Sequence, residues 1–405
     1  MSGRSRRPAP PPAGVEVRKV ALAALHRIDR DGAYANLVLG PMLVDSGLEA
    51  RDRHLVTQLV YGTTRMRRAC DALVDGWLLR PVEAEVRNAL RLGAYQLAYL
   101  RLPAHAAVDT TVEVAPRRAR GLVNAVLRRV AGAVAAGTGP AEDASALSYP
   151  DWIVECLVAD LGRDRALAAL AAMNEAAEVD ERVDGYVQDR ASQLVVDAVD
   201  VPTGGVVVDL CAAPGGKATG LAARARFVVA ADLNPARAGL VVTNRDRLGV
   251  EGLAVVVADG RRAPLRSASA PVVLVDAPCS GLGSLRRRPD ARWRIEADAP
   301  ERLASLQRDL VREALRVVAP GGLVVYSVCT LTATETIAID RWAAAEHPAF
   351  QALDAPGEPW QPLGRGALLL PQDAGTDGMY VLRLRAPSDG AANAGPKGRM
   401  EEESR

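Results

Sequence analysis

The chain has 405 residues, 49% of them hydrophobic and 24% charged, the balance of a globular protein of about two or three domains. No window offers the roughly 18 consecutive apolar residues of a membrane-spanning helix. The basic, proline-rich MSGRSRRPAPPPAG is followed by no secretory apolar segment, so a cytoplasmic location is expected. A net charge of +1 hides an asymmetry: residues 1–150 carry 21 basic and 14 acidic side chains, the remainder 29 and 35. A polyanion is the partner such a basic half suits, and solvated helix faces are the plainer reading of the same charges.

Residues 1–13 read as a disordered tail. From Val15 to about Ala136 the apolar positions recur at helical spacing, as in VRKVALAALHRI, RHLVTQLVYGTTRM, VRNALRLGAYQLAYL and GLVNAVLRRVAGAV. Gly40-Pro41, Pro81 and Pro103 punctuate them. Gly137–Ser148 reads as a linker, and Trp152–Met173 as one more helix. From Val206 short β-branched runs (VVVDL, FVVAADL, LAVVVA, PVVLVDA, GLVVYSV) alternate with helical segments, which predicts a doubly wound parallel sheet. MYVLRLR suits a final antiparallel strand, and the residues from Pro387 onward a polar tail.

The string VVVDLCAAPGGKATGLA (206–222) is strand, small-residue loop and helix. Gly215 and Gly216 let a ligand approach the backbone at the carboxyl edge of the sheet. Cys211 and Ala218 stand where a nucleotide P-loop needs Gly and Ser or Thr, and the spacing is not that of a dinucleotide loop. Asp232, about twenty residues on, suits the ribose hydroxyls, and Asp259, after the next strand, an adenine amine. A lone acid after a strand is usually a helix cap. Two in register after such a loop point to S-adenosylmethionine, an adenosine without phosphates.

Five cysteines occur, Cys70, Cys156, Cys211, Cys279 and Cys329. Their irregular spacing suits neither a disulfide framework nor zinc, and the four histidines are not paired at ligand spacing, so no metal is expected. Cys279 in DAPCSGLG and Cys329 in YSVCT each follow a strand at the carboxyl edge. A cysteine is most often a small buried hydrophobe. Two at one edge beside a cofactor loop read instead as reactive thiols. Carbon 5 of cytosine is a poor nucleophile until a thiolate adds to carbon 6, so thiols there fit cytosine-C5 methylation. Asp276 would either orient the base through its exocyclic amine or assist protonation at the ring nitrogen. Arg286, Arg287 and Arg288 would hold an RNA backbone, or else form a solvated basic loop. Which sulfur attacks is left open by the residues themselves.

VQDRASQ, DLCAAPGGK, ADLN, DAPCSGLG, RRRPDARW and YSVCT together resemble the ribosomal small-subunit RNA cytosine-C5 methyltransferase B family, within the wider NOL/NOP/Sun group. RDRHLVTQLVYGTTR, LRLGAYQLAYLRLPAHAAV and NAVLRR resemble that family's NusB-like RNA-binding domain. The resemblance implies an all-α NusB-like domain over 14–136, a linker and helical connector over 137–185, and a Rossmann-like class I methyltransferase domain over 186–386. The tails are 1–13 and 387–405. It makes Cys329 the nucleophile and gives Cys279 a part in product release. It assigns cofactor contacts to Cys211, Ala212, Ala213, Pro214, Gly215, Gly216, Lys217, Asp232, Asp259 and Asp276, and 16S ribosomal RNA as substrate for a monomeric enzyme. The sequence departs from the family at Val328, at Thr336 and in a short connector, Asn174–Tyr186. Rival readings are the same chemistry on transfer RNA or another ribosomal site, and a non-catalytic RNA-binding or antitermination factor. Two thiols argue against the second. A DNA cytosine methyltransferase is disfavoured by the second cysteine and the NusB-like half.

Overall fold

The computed structural model describes residues 14–138 and 144–388. The expected tail over 1–13 lies outside these residues, as does all of the C-terminal tail beyond Ser388. The chain divides into two compact units, one of residues 1–154 with Arg288–Ile295, the other of Glu155–Arg287 with Glu296–Arg405. The division falls later than Ala136, and a short stretch from the second half of the sequence belongs to the first unit.

That first unit is helical: α1 (Val15–Arg30), α2 (Ala35–Asp45), α3 (Ala50–Arg65), α4 (Arg67–Asp75), α5 (Ala84–Ala98), α6 (Ala104–Val114) and α7 (Arg120–Ala135), with the short α8 (Ala144–Leu147). Their apolar stripes meet in one core around Leu25, Leu59, Leu90, Leu92 and Leu127. Some polar side chains inside it pair with one another. Arg18 donates to Gln96 at 2.9 Å, and Gln96 donates to Thr111 at 2.9 Å. The expected linker carries structure at its end: Ser148 is buried, and its hydroxyl accepts from the amide of Arg68 at 3.0 Å, supplying the N-terminal cap that α4 lacks.

Arg288–Ile295 is built into this unit. Arg292 is fully buried, donating to the carbonyl of Ser148 at 3.2 Å with its guanidinium 3.8 Å from the ring centre of Tyr149. Trp293 donates its indole N–H to the carbonyl of Thr64 at 2.7 Å. Arg294 donates to the carbonyl of Gly32 at 3.0 Å and lies over Tyr34.

Helix α9 (Asp151–Leu161) spans the division, and α10 (Arg163–Ala172) and α11 (Arg190–Asp197) follow. The second unit is organised on β1 (Val206–Asp209), β2 (Phe227–Asp232), β3 (Leu253–Val257), β4 (Ala270–Asp276) and β5 (Val318–Val328), all parallel in the order β3-β2-β1-β4-β5. Val208 pairs with Val229 on one side and Val273 on the other, and Val273 with Val324. Alternation sends Val207, Val272, Leu274 and Val325 to one face, where α11, α12 (Gly216–Ala222) and α13 (Pro235–Leu248) cover them. The long α14 (Ala299–Val317) packs on β4 and β5.

Beyond β5 the sheet continues antiparallel. With β6 (Gln351–Ala352), β7 (Gln361–Leu363), β8 (Gly366–Leu369) and β9 (Met379–Arg385) it has nine strands among the described residues; β9 is the final antiparallel strand that the sequence suggested, and it pairs with β5. α15 (Ile337–Glu346) and α16 (Pro371–Ala374) complete the unit. Strand order reverses between β1 and β4, which opens a crevice at their carboxyl ends.

Candidate active site

The crevice is lined from the β1 side by the loop 210–215, which hands over to α12. Gly215 takes a φ of +109°, and a Cβ there would lie 3.2 Å from the backbone of Val241. Only glycine lets the loop lie this close to α13. Asp232, at the end of β2, accepts from the amide of Ala213 at 3.3 Å and that of Asn234 at 2.9 Å, tying the loop to its neighbour. Asp259 lies two residues beyond β3 and is bound by its own turn: Arg261 donates backbone and side-chain N–H groups to it, the latter at 2.7 Å. Those bonds hold its carboxyl below the usual range.

Asp209, in the same string as the loop, is fully buried. One oxygen accepts from the amide of Cys211 at 3.2 Å, and Oδ2 has no hydrogen-bond partner among the described residues. Burial, and then the negative charge of Asp276, push its pKa up to about 7. The short connector also reaches this loop. Arg182 donates to the carbonyl of Gly216 at 2.6 Å and to Thr219 at 3.2 Å, and stacks on Tyr186, whose ring lies against Gly216.

Lys217 does not point along the loop. Its ammonium donates to Asp276 Oδ2 at 2.8 Å and to Ser192 at 3.4 Å, while Ser327 donates to Asp276 Oδ1 at 2.8 Å. Burial pulls the lysine down, but Asp276 and then Cys329 outweigh it and the net direction is upward. The carboxylate ending β4 is thereby fixed by a cation and a hydroxyl.

Beside it stand the two thiols. Cys279 and Cys329 are half-buried with their sulfurs 3.4 Å apart, and Ser284 is 3.9 Å from Cys329. The loops bearing them interlock through Gly283, whose amide donates to the carbonyl of Cys329 at 3.0 Å and whose carbonyl accepts from Gly378 at 2.8 Å. A Cβ at 283 would come 2.3 Å from the Gly378 oxygen. The hydrogen bond with Cys329, burial, and negative charge at Cys329 and Glu335 push the Cys279 thiol well above its usual value. Cys329 in turn is among the groups that raise the Lys217 ammonium.

The three arginines do not form one basic loop. Arg286 is buried, donates to the carbonyl of Gly375 at 2.8 Å and lies 3.8 Å from Asp377. Arg287 is paired with Asp189, with Asp180 at 3.0 Å and with Asp377 at 3.5 Å. Both are thus engaged by carboxylates or a carbonyl of the fold, where the sequence reading had them hold an RNA backbone. Arg288 is exposed. Sequence reading also passed over Asp209, Ser327, Arg182 and Glu335. Asp209 stands in the quoted DLCAAPGGK string, whereas Glu335 has no local signal.

Two family models match the chain, the NusB family over residues 15–132 and "16S rRNA methyltransferase RsmB/F" over residues 197–385. The ribosomal RNA small subunit methyltransferase B of Thermus thermophilus is 37% identical, the match covering 91% of this chain and 97% of that protein. The protein of the same name from Pseudomonas putida is 30% identical over 87% and 96%. The solved structure of PH0851 superposes with a TM-score of 0.71 at 22% identity, covering 94% of this chain and all of that one, a likeness of fold. With a NusB-type helical unit preceding a methyltransferase unit, the chain belongs to the 16S rRNA methyltransferase RsmB/F family.

Proposed function

We propose that the protein methylates carbon 5 of a cytosine in RNA, with small-subunit ribosomal RNA as substrate and S-adenosylmethionine as methyl donor. The observation that carries this is the pair of sulfurs 3.4 Å apart at the carboxyl edge of β4 and β5, next to an aspartate fixed by a lysine. The substrate follows from the names of the relatives.

The residues fit the donor. Asp209 presents a buried carboxyl oxygen without a partner among the described residues, suited to the methionine ammonium, and Cys211–Gly216 would form the cradle. Asp232 and Asp259 would hold the adenosine. Bound there, S-adenosylmethionine supplies an electrophilic methyl group to carbon 5 of the activated ring.

The chain's own residues do the rest. Asp276 orients the base through its exocyclic amine, and the Cys329 thiolate adds to carbon 6, making the ring an enamine at carbon 5. After transfer, loss of the carbon-5 proton and expulsion of the Cys329 sulfur restore aromaticity. Cys279, poised against that sulfur, assists the release. The base must be unpaired or extruded for the thiolate to reach it.

Cys329→Ala is expected to abolish methyl transfer with donor affinity retained. Cys279→Ala is expected to accumulate a covalent protein–RNA adduct that survives denaturing electrophoresis. Turnover by Cys329→Ala would refute the nucleophile assignment. Bisulfite sequencing of RNA from cells with and without the gene locates the cytosine.

A further inference from the structure

Beneath both cysteine loops lies Glu335, a carboxylate with no solvent exposure. It accepts hydrogen bonds from the amide of Ser280 at 2.8 Å, from Gln307 at 3.0 Å, and from the hydroxyls of Ser280, Thr330 and Thr332, the last two at 3.1 Å and 3.0 Å. Such donors replace the water that a buried carboxylate would otherwise lose. They come from three separate elements. Ser280 directly follows Cys279, Thr330 directly follows Cys329, and Gln307 lies on α14. Gln307 also donates to the carbonyl of Pro278 at 2.9 Å, and Tyr326 donates to the backbone carbonyl of Glu335 at 2.7 Å, closing the network.

We propose that Glu335 is the positioning residue of the thiol pair: by bonding the residue that follows each cysteine, one carboxylate fixes the separation of the two sulfurs. The proposal rests on the two-thiol reading above and names what sets its geometry. The charge of Glu335 has a second effect. It is among the groups that hold the Cys279 thiol up, whereas the Lys217 ammonium acts on Cys329. Asp377, the other carboxyl that feels Cys329, is pushed up by burial and by Asp189 and is itself paired with Arg286 and Arg287. Two chemically identical groups, 3.4 Å apart, thus sit between charges of opposite sign, Glu335 toward Cys279 and Lys217 toward Cys329.

The test begins in the Cys329→Ala background, where coupling between the sulfurs is gone. Iodoacetamide labelling of Cys279, read by mass spectrometry across a pH series, is compared with and without Glu335→Gln. Removing the charge is expected to raise Cys279 labelling at neutral pH severalfold, because the thiolate is the species alkylated. An unchanged profile overturns the proposal. With both cysteines present, Glu335→Gln is expected to lower kcat about tenfold or more while the Kd for S-adenosylmethionine and the KM for RNA stay put. Wild-type turnover overturns it as well. Should Glu335→Gln fail to fold, Thr330→Val keeps the charge and removes one of the hydroxyl donors to it, together with that hydroxyl's bonds to Ser280 and Thr332. It is expected to lower kcat without moving the Cys279 profile, and parental turnover would overturn the clamp. Labelling needs no RNA, so failure here is distinguishable from failure of the methylation reading, which shows as turnover by Cys329→Ala.

Discussion

Breaking the Lys217–Asp276 pair provides a strong test of how the crevice is held. The lysine side chain is 10% exposed and the aspartate 30%, with 2.8 Å between nitrogen and oxygen. Removing one partner of a buried pair leaves an uncompensated charge, at about 3–5 kcal/mol, and the partial exposure of Asp276 places Lys217→Met near the lower end, about 3 kcal/mol. Asp276→Asn strands the ammonium, with Ser192 as its remaining contact, at a similar cost. In Lys217→Met/Asp276→Asn neither charge remains, so the double variant is expected to lose about 3 kcal/mol rather than about 6 kcal/mol, a coupling of about 3 kcal/mol. Opening free energies from hydrogen exchange at the slow amides of β1 and β4 report this unit alone, which matters in a chain of two units. Costs that add within about 0.5 kcal/mol would refute the argument, because the two groups would then be solvated independently.

Asp209, raised from 3.8 to about 7 by burial, stabilises the fold fully below the unfolded value and loses that contribution as pH rises through about 7. Asp209→Asn is therefore expected to gain on the wild type by up to about 4 kcal/mol between acid and alkaline pH, and a pH-independent difference in denaturant midpoint would refute it. If the orphaned oxygen meets the donor's ammonium, S-adenosylmethionine binding tightens as pH rises through neutrality, and calorimetry on Asp209→Asn shows that dependence lost. Trp293→Ala is expected to destabilise the helical unit by about 2–3 kcal/mol, less than a fully buried tryptophan because the ring is only half-covered. Exchange rates in α3 unchanged from the wild type would contradict that. Arg288→Ala is expected to weaken RNA binding and reduce the salt slope by about one, whereas Arg287→Ala leaves the slope in place and lowers stability. The reverse pattern would restore Arg287 as a phosphate contact.

The parallel strands were legible because most of their residues are apolar and β-branched, and the central ones, β1, β4 and the later part of β5, are largely buried. β9 was readable as an apolar run, MYVL, passing into the alternation RLR. β6 to β8 were not. They have two to four residues, β7 contains Pro362, and their extended form comes from pairing along β9 and β8. Propensity within so short a window says little. The two compact units divide later than the boundary read from the sequence, for a related reason. Ser148 and Trp293 join the helical unit through hydrogen bonds to Arg68 and Thr64, partners about 80 and 229 residues away in sequence, and no local pattern announces such bonds.

At the site, sequence revealed the groups that react but not what holds them. Cys279 and Cys329 stand in strings whose position after a strand puts them on one rim. RRRPDARW shows the limit of that approach, since adjacent arginines look equivalent in a string. In the fold, Arg287 is spent on Asp189, Asp180 and Asp377, Arg292 is sealed beneath Tyr149, and Arg288 alone of the first three is exposed. Glu335 carries the argument further. A glutamate after a threonine-rich turn looks like an ordinary helix-start residue. It acquires its role only when α14, the β4 loop and the β5 loop converge on it, each bringing donors. A thiol motif can therefore be recognised from the chain, while the asymmetry between its two sulfurs is a property of the folded surroundings.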